Sequence, residues 1–286
     1  MTRIFEDDIE LWMLDILKEK GFTFLSPESL DPDKSTALRV SYHEVVIESH
    51  VLAALQRINP SISGAVLQQA VKEILRVPGH GDLVSANQHF HILLTEGIDV
   101  TFMDKGEERT IKAKLIDEVN GSNNNWCVTH QLTIIENGQQ KRPDVIIYLN
   151  GLPVIVVELK NPTDEAATVE KAYQQLQTYH KTIPTLFVYN CFEIISDGLE
   201  AKVGTITSDI SRFMSWKTAD GKTTASARLS ELSVMMEGLM NAEVLTDMIQ
   251  NFMVYEKFST EDPKTKTVKV GVVKNMNVIL IIEINI

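Results

Sequence analysis

Two acids and a lysine, Asp144, Glu158 and Lys160, bracket a pair of apolar runs at 145–149 and 152–157 that only Asn150-Gly151 separates. Carboxylates brought to about 4 Å from one another repel by roughly 4 kcal/mol at an effective dielectric near 20. One exposed lysine returns less than that, so an arrangement that gathers the acids requires further positive charge. A hard divalent cation with oxygen ligands supplies it. Mg²⁺ fits, and it keeps waters from which a nucleophile can come. With Lys160 orienting that water or stabilising charge that develops on phosphorus, these are the parts of a metal-dependent phosphodiesterase. The plainer alternative has Asp144 capping a strand, with Glu158 and Lys160 as a solvated pair at its edge.

Val, Ile and Tyr fill both runs, and Asn-Gly is the dipeptide of tight hairpin turns, so the segment reads as two buried strands joined by a short loop. Glu158 and Lys160, two residues apart, project from one face of their strand. A plain two-residue loop would pair Leu149 with Leu152 and set Asp144 opposite Val157, off the face of Glu158. A three-residue loop with a glycine bulge would instead pair Leu149 with Pro153 and Asp144 with Glu158, leaving Pro153 at a strand start where it is tolerated. The chemistry therefore predicts an odd loop or a bulge in this hairpin.

Arg142-Pro143-Asp144, an apolar strand, Asn150-Gly151-Leu152-Pro153, a second apolar strand and Glu158-Leu159-Lys160-Asn161-Pro162 together resemble the nuclease domain of type I restriction enzyme restriction subunits. Asp144, Glu158 and Lys160 fall on the two acids and the lysine of the PD-(D/E)xK motif. RecB-like nucleases of the same superfamily carry a Gln-x-x-x-Tyr element on the next helix, which Gln175 and Tyr179 match. A helix is expected over 166–180, where residues four apart share a face. An amide and a phenol there can hydrogen-bond a phosphate or a water on the metal, or simply belong to an ordinary amphipathic helix. Segments 186–190 and 193–198, read as strands, and 204–205 and 213–216 also resemble the family. Asp197 is ascribed to a polar turn rather than to the site.

The resemblance extends to about Lys266 and is most specific between Trp126 and Trp216. It implies a restriction-endonuclease-like α/β core with a mixed central sheet flanked by helices. It also implies Mg²⁺ held by Asp144 and Glu158, attack on phosphorus assisted by Lys160, and support from Gln175 and Tyr179. The implied parent enzyme cuts unmethylated foreign double-stranded DNA after ATP-driven translocation, in company with modification and specificity subunits. Two other readings stand beside it: a non-catalytic docking module for those subunits, and a stand-alone repair nuclease acting on ends or single strands.

The chain has 286 residues, 44% of them hydrophobic and 23% charged, enough for a sizeable core and without an apolar stretch of spanning length or a signal pattern. Cys127 and Cys191 are too few for a disulfide framework, which points to packed thiols in a reducing cytosol. The net charge of -12 argues against a broadly basic DNA-binding face. It is compatible with DNA held by partner subunits, a cation and a local patch drawn from Lys141, Arg142, Lys160, Lys171 and Lys181. His43-Glu44 lacks the second histidine of a zinc-protease helix, since position 47 is Ile47. Gly221-Lys222-Thr223 ends like a phosphate loop but Trp216 stands in place of its leading glycine, so a turn is expected. His89 and His91 share a face only in a strand and are read as ordinary core or surface histidines.

Helices are expected at 5–20, 45–57 and 62–76 within a helical part over about 1–95, with strands at 100–103, 109–115 and 126–135 opening a catalytic core over about 96–217. Glu10 on the first helix is either an extra acid near the metal or, with Glu6, Asp7 and Asp8, part of an acidic first turn that stabilises the helix dipole. C-terminal helices are expected at 232–239 and 244–255 within 228–255. Residues 256–286 read as a linker toward a motor, with an apolar tail in place of the translocase and so no ATP hydrolysis by this chain.

Overall fold

A computed structural model of the chain describes residues 6–161, 168–261 and 268–276. Helix α1 (Glu6–Glu19) begins with three acids against the positive end of its dipole and ends before Gly21, whose φ of 89° is open to glycine. A short strand β1 (Thr23–Phe24) and helices α2 (Glu48–Ile58) and α3 (Gly64–Arg76) follow, α2 stopping just before Pro60. A further helix, α4 (Leu83–Glu96), is capped by Asp82, whose side chain accepts from the Ser85 amide at 2.8 Å. Strands β2 (Ile98–Asp104) and β3 (Glu107–Ala113) pair with each other as a separate hairpin.

Strand β4 (Trp126–His130) is shorter than the strand expected at 126–135. The chain turns out of it at Gln131 (φ 47°) and resumes as β5 (Ile134–Glu136), which pairs with β6 (Gln139–Lys141) in a sheet of its own. The two apolar runs form β7 (Val145–Leu149) and β8 (Leu152–Leu159), in which every residue is buried. Helix α5 (Val169–Thr182) carries the Gln-x-x-x-Tyr element; its expected start at 166 lies outside the described residues. The strand expected at 186–190 is instead helix α6 (Pro184–Val188), because Pro184 at the first helical position presets the helical φ and gives up a donor that would have had no partner. Strands β9 (Phe192–Ser196), β10 (Ala201–Gly204) and β11 (Met214–Ser215) and helices α7 (Glu231–Gly238) and α8 (Ala242–Asn251) come next.

The helix expected to reach Tyr255 ends at Asn251, and the stretch read as linker from 256 contains a hairpin of β12 (Met253–Glu261) and β13 (Val268–Met276). The apolar tail lies outside the described residues.

A seven-stranded mixed sheet in the order β1-β4-β7-β8-β9-β10-β11 organises the chain, with helices around it, consistent with a restriction-endonuclease-like core. Its continuous apolar strands at the centre are those of a sheet covered on both faces. Part of the segment expected to be purely helical supplies its edge, since β1 pairs in parallel with β4. Strands β8 and β9 are parallel and β7 and β8 antiparallel.

The β7–β8 hairpin settles how the two acids meet. Of the odd loop or bulge expected, the bulge forms: Asn150 (φ 53°) and Gly151 (φ 85°) make a two-residue turn, and Leu149 pairs with Leu152. The extra residue lies one step later. Tyr148 pairs with Pro153 but Ile147 pairs with Ile155, so Val154 is bulged out of the ladder, and its carbonyl accepts from the Cys191 amide at 2.7 Å. Val145 then faces Val157, which sets the preceding Asp144 opposite the following Glu158. Glycine is required at 151 for space as well as φ, because a Cβ there would meet the Ile47 carbonyl oxygen at 2.6 Å where α2 begins.

Candidate active site

Asp144, Glu158 and Lys160 come together at the open end of the central hairpin. Asp144 immediately precedes β7 and is 5% exposed; Glu158, near the end of β8, is 2% exposed. The Leu159 amide donates to Asp144 Oδ2 at 2.7 Å, so the backbone of one strand orients the acid of the other. Lys160 folds back over the same end, its Nζ donating to Glu158 Oε1 and to the Leu159 carbonyl, both at 2.6 Å. Glu158 Oε2 is buried and has no hydrogen-bond partner among the described residues.

A third acid joins them from the helical layer. Glu10 is 4% exposed and lies on the stripe of Met13, Leu14 and Leu17 that α1 buries, so it is not merely part of an exposed acidic turn. Its carboxylate is hydrogen-bonded to His130 Nδ1 through Oε1 and accepts from Gln131 Nε2 through Oε2 at 2.7 Å. The same Gln131 amide donates to Asp144 Oδ1 at 3.1 Å, bridging the two acids. Gln131 can do this because its left-handed backbone ends β4 and turns the side chain toward the hairpin, while its own amide donates to the Asp144 carbonyl at 2.9 Å. Buried Arg39 pins the irregular segment beyond it, donating through Nη2 to the Thr133 carbonyl at 2.9 Å.

Tyr179 is buried against this end of the sheet, its hydroxyl donating to the Arg142 carbonyl at 3.4 Å and lying within the field of Glu158. Half-buried Gln175, one turn earlier on α5, lies beside the same hydroxyl. The five residues expected from sequence are thus neighbours. Glu10, weighed from sequence as an extra acid or part of an acidic turn, joins them, and the structure adds Glu6, His130 and Gln131. Glu10 also carried a second legible signal, an acid at a position that the 10-13-14-17 spacing assigns to the apolar face. His130 and Gln131 had none, since nothing in Thr-His-Gln-Leu marks the end of a strand. Asp197 sits in a polar turn, as expected, accepting from the Leu199 and Glu200 amides. Asp220 likewise collects the Lys222 and Thr223 amides in a turn.

Burial dominates the electrostatics. It lifts the Glu158 carboxyl to about 8, with the charge of Asp144 adding to the rise and Lys160 opposing it. Burial also lifts Asp144, to about 6, against the Leu159 amide and Lys160, with Glu6 and Glu10 pushing further upward. For Lys160 burial works against the charge, yet the neighbouring Glu158 and its hydrogen bond prevail and hold the ammonium above its usual range. Glu6, half-buried in α1, is raised by burial in spite of Lys160. The protein alone thus gathers more carboxyl groups here than its one lysine can balance when they are ionised, and they hold their protons to higher pH than usual.

Comparison with known proteins bears on what such an end can be. Residues 4–212 match the family model described as the type I restriction enzyme R protein N terminus. The type I restriction enzyme HindI endonuclease subunit of Haemophilus influenzae is 35% identical over 268 residues, 92% of this chain and 25% of that protein. In Methanocaldococcus jannaschii, MjaIXP, assigned as a type I restriction enzyme endonuclease subunit, is 27% identical over 260 residues, 84% of this chain and 25% of its own length. This chain therefore spans about a quarter of the length of these relatives.

Proposed function

The chain belongs to the family of type I restriction enzyme R protein N termini, and on that premise we propose that its sheet end is a Mg²⁺-dependent nuclease site hydrolysing phosphodiesters of double-stranded DNA. The observation that carries the reading is the buried pair Asp144 and Glu158, held opposite one another by the bulge at Val154, with one carboxylate oxygen left without a partner among the described residues. Buried charges persist when paired or bound to metal, and an all-oxygen donor set suits a hard cation. Asp144 and Glu158 would hold it, with Glu10 near at hand through Gln131. When bound, such a cation neutralises the crowded carboxylates and polarises the phosphodiester for attack by water.

The chain's own residues do the rest. The Leu159 amide and the Gln131 side chain fix the Asp144 carboxylate from two sides, so it is oriented before substrate arrives. Lys160 places an ammonium beside the same point, where it stabilises negative charge building on a phosphate oxygen. Tyr179 presents its hydroxyl from α5 within the field of Glu158 and Asp144, with Gln175 one turn earlier on the same helix. Arg142, whose carbonyl meets Tyr179, is exposed beside the site and supplies local positive charge to an acidic chain, and Lys171 and Lys181 are exposed elsewhere on α5. We place the site within a cytoplasmic assembly with modification and specificity subunits, as membership of the type I restriction enzyme family suggests.

Plasmid cleavage and calorimetric Mg²⁺ titration of this chain, of Asp144→Ala and of Lys160→Ala test the reading. Mg²⁺ binding lost in Asp144→Ala but kept in Lys160→Ala, with cleavage lost in both when the partner subunits are supplied, is the expected result. No Mg²⁺ binding by the unaltered chain would favour a docking module, and cleavage of DNA ends without partners would favour a stand-alone repair nuclease.

A further inference from the structure

A second polar cluster lies in the helical layer and shares no residue with the sheet end. Glu73 near the end of α3, His80 in the turn after it and His89 on α4 each place one donor atom within 4.8 Å of the other two. The turn itself brings them together: α3 runs into Val77-Pro78-Gly79, and the His80 amide donates to the Val77 carbonyl at 3.0 Å before Gly81 (φ 88°) redirects the chain into α4. The His80 and His89 rings then stack with centroids 4.1 Å apart and planes 27° from parallel. His89 Nε2 is shielded from solvent and has no hydrogen-bond partner among the described residues. Glu73 engages only loosely with Arg76, at 3.9 Å across one helical turn.

A shielded imidazole nitrogen without a partner costs free energy that a ligand recovers. A hydrogen-bond donor could recover it too, but among the described residues none is offered, and the ring stacked on it belongs to another histidine. We propose that Glu73, His80 and His89 form a binding site for a borderline transition-metal ion of the Zn²⁺ class. Two imidazole nitrogens and one carboxylate are the donors that such ions take, and that Mg²⁺ does not select. Tetrahedral bonds of about 2.0–2.2 Å place donors closer together than they stand here. The exposed His80 side chain, free to rotate, closes that gap while His89 and Glu73 stay on their helices. Water completes the sphere. Bound this way, the ion ties α3 to α4 across their turn, a staple within the helical layer rather than part of the reaction.

The test is calorimetric titration of the full chain with Zn²⁺, alongside thermal melts and Co²⁺ absorption. Asp144→Ala/Glu158→Ala removes ions that settle at the sheet end. Against that background we expect one Zn²⁺ per chain, a raised melting temperature and a tetrahedral Co²⁺ spectrum. Adding His80→Ala, at an exposed turn position that leaves the fold intact by circular dichroism, should weaken Zn²⁺ affinity about tenfold or more, since loss of outer-shell partners alone already costs that much. Adding Glu73→Gln should weaken it in the same direction. Unchanged stoichiometry and affinity in both additions, or no Zn²⁺ binding in the background variant, would overturn the site.

Discussion

Glu158 and Glu193 are buried acids on neighbouring strands of one sheet, and each has one paired oxygen and one without a partner among the described residues. Glu158 pairs with Lys160, and Glu193 with His180 of α5. Their surroundings part company there. Asp144 and Glu6 add their fields at Glu158, and Glu10 is bridged to Asp144 by Gln131. Beside Glu193 the His180 ring packs edge-on to Phe187 at 4.5 Å. A buried carboxylate with a spare oxygen does not by itself mark a metal site; the crowding of several acids around one lysine is what supports the proposal at Glu158 and is lacking at Glu193.

The largest effect that tests the contrast is on catalysis. Asp144→Ala removes one of the two acids that would hold the cation, and cleavage measured with partner subunits should fall by about a thousandfold, the equivalent of roughly 4 kcal/mol of transition-state stabilisation. His180→Ala should act on folding instead. It leaves Glu193 buried without its partner, which costs about 3–5 kcal/mol in a denaturant titration, while calorimetric Mg²⁺ affinity stays as it was. If His180→Ala abolished Mg²⁺ binding at unchanged stability, the two acids would not differ in kind.

A pH series sharpens the comparison. The Glu158 carboxyl is raised in the folded chain from 4.5 to about 8, so the folded state holds the proton more tightly. Its contribution to stability is fully present below about 4.5 and is lost as pH climbs toward 8. Melting temperatures of the chain without cation should fall over that window, and Glu158→Gln should flatten the fall. Added Mg²⁺ should stabilise most at the alkaline end, where the acids that receive it are ionised. An equal slope in the wild type and Glu158→Gln would detach the effect from this residue. The smallest change is expected for Gln131→Ala. Loss of the amide bridging Glu10 and Asp144 should weaken Mg²⁺ affinity by about tenfold, the lower end for a partner that orients a ligand.

Legibility followed the strength of the local signal. The Asp144, Glu158 and Lys160 cluster could be read because the whole run from Arg142-Pro143-Asp144 to Glu158-Leu159-Lys160-Asn161-Pro162 resembles a known family, where the Glu-x-Lys spacing alone would have passed for a solvated pair, and bringing Asp144 opposite Glu158 required an irregularity in the hairpin. Its position at Val154 could not be read, since Pro153 and Val154 carry no mark that distinguishes a bulge from a longer loop. Gln131 breaks a strand with no glycine or proline beside it, held in its unusual backbone by contacts with Glu10 and Asp144 that are distant in sequence. Residues 186–190 read as a strand because the short buried apolar run Leu186 to Tyr189 suits strand or helix equally, and Pro184 just ahead decided for helix. The pairing of His89 with His80 was invisible for a related reason: it depends on the turn between two helices, while His91, close to His89 in sequence, lies on another side of α4 and meets Tyr255.

The displaced residue at Val154 also gives this hairpin slack. Were a single residue lost anywhere between Pro153 and Val157, the ladder could straighten and take up the surplus, leaving Asp144 still across from Glu158 and the turn at Asn150-Gly151 unmoved. A gained residue has no such reserve: it must either swell the irregularity or slide the strand by one, which turns the glutamate and the buried side chains of the slid part to the opposite faces. Shortening by one is therefore the milder change for the acid pair in this stretch, and lengthening by one sets the pair and the packing of β8 at risk together.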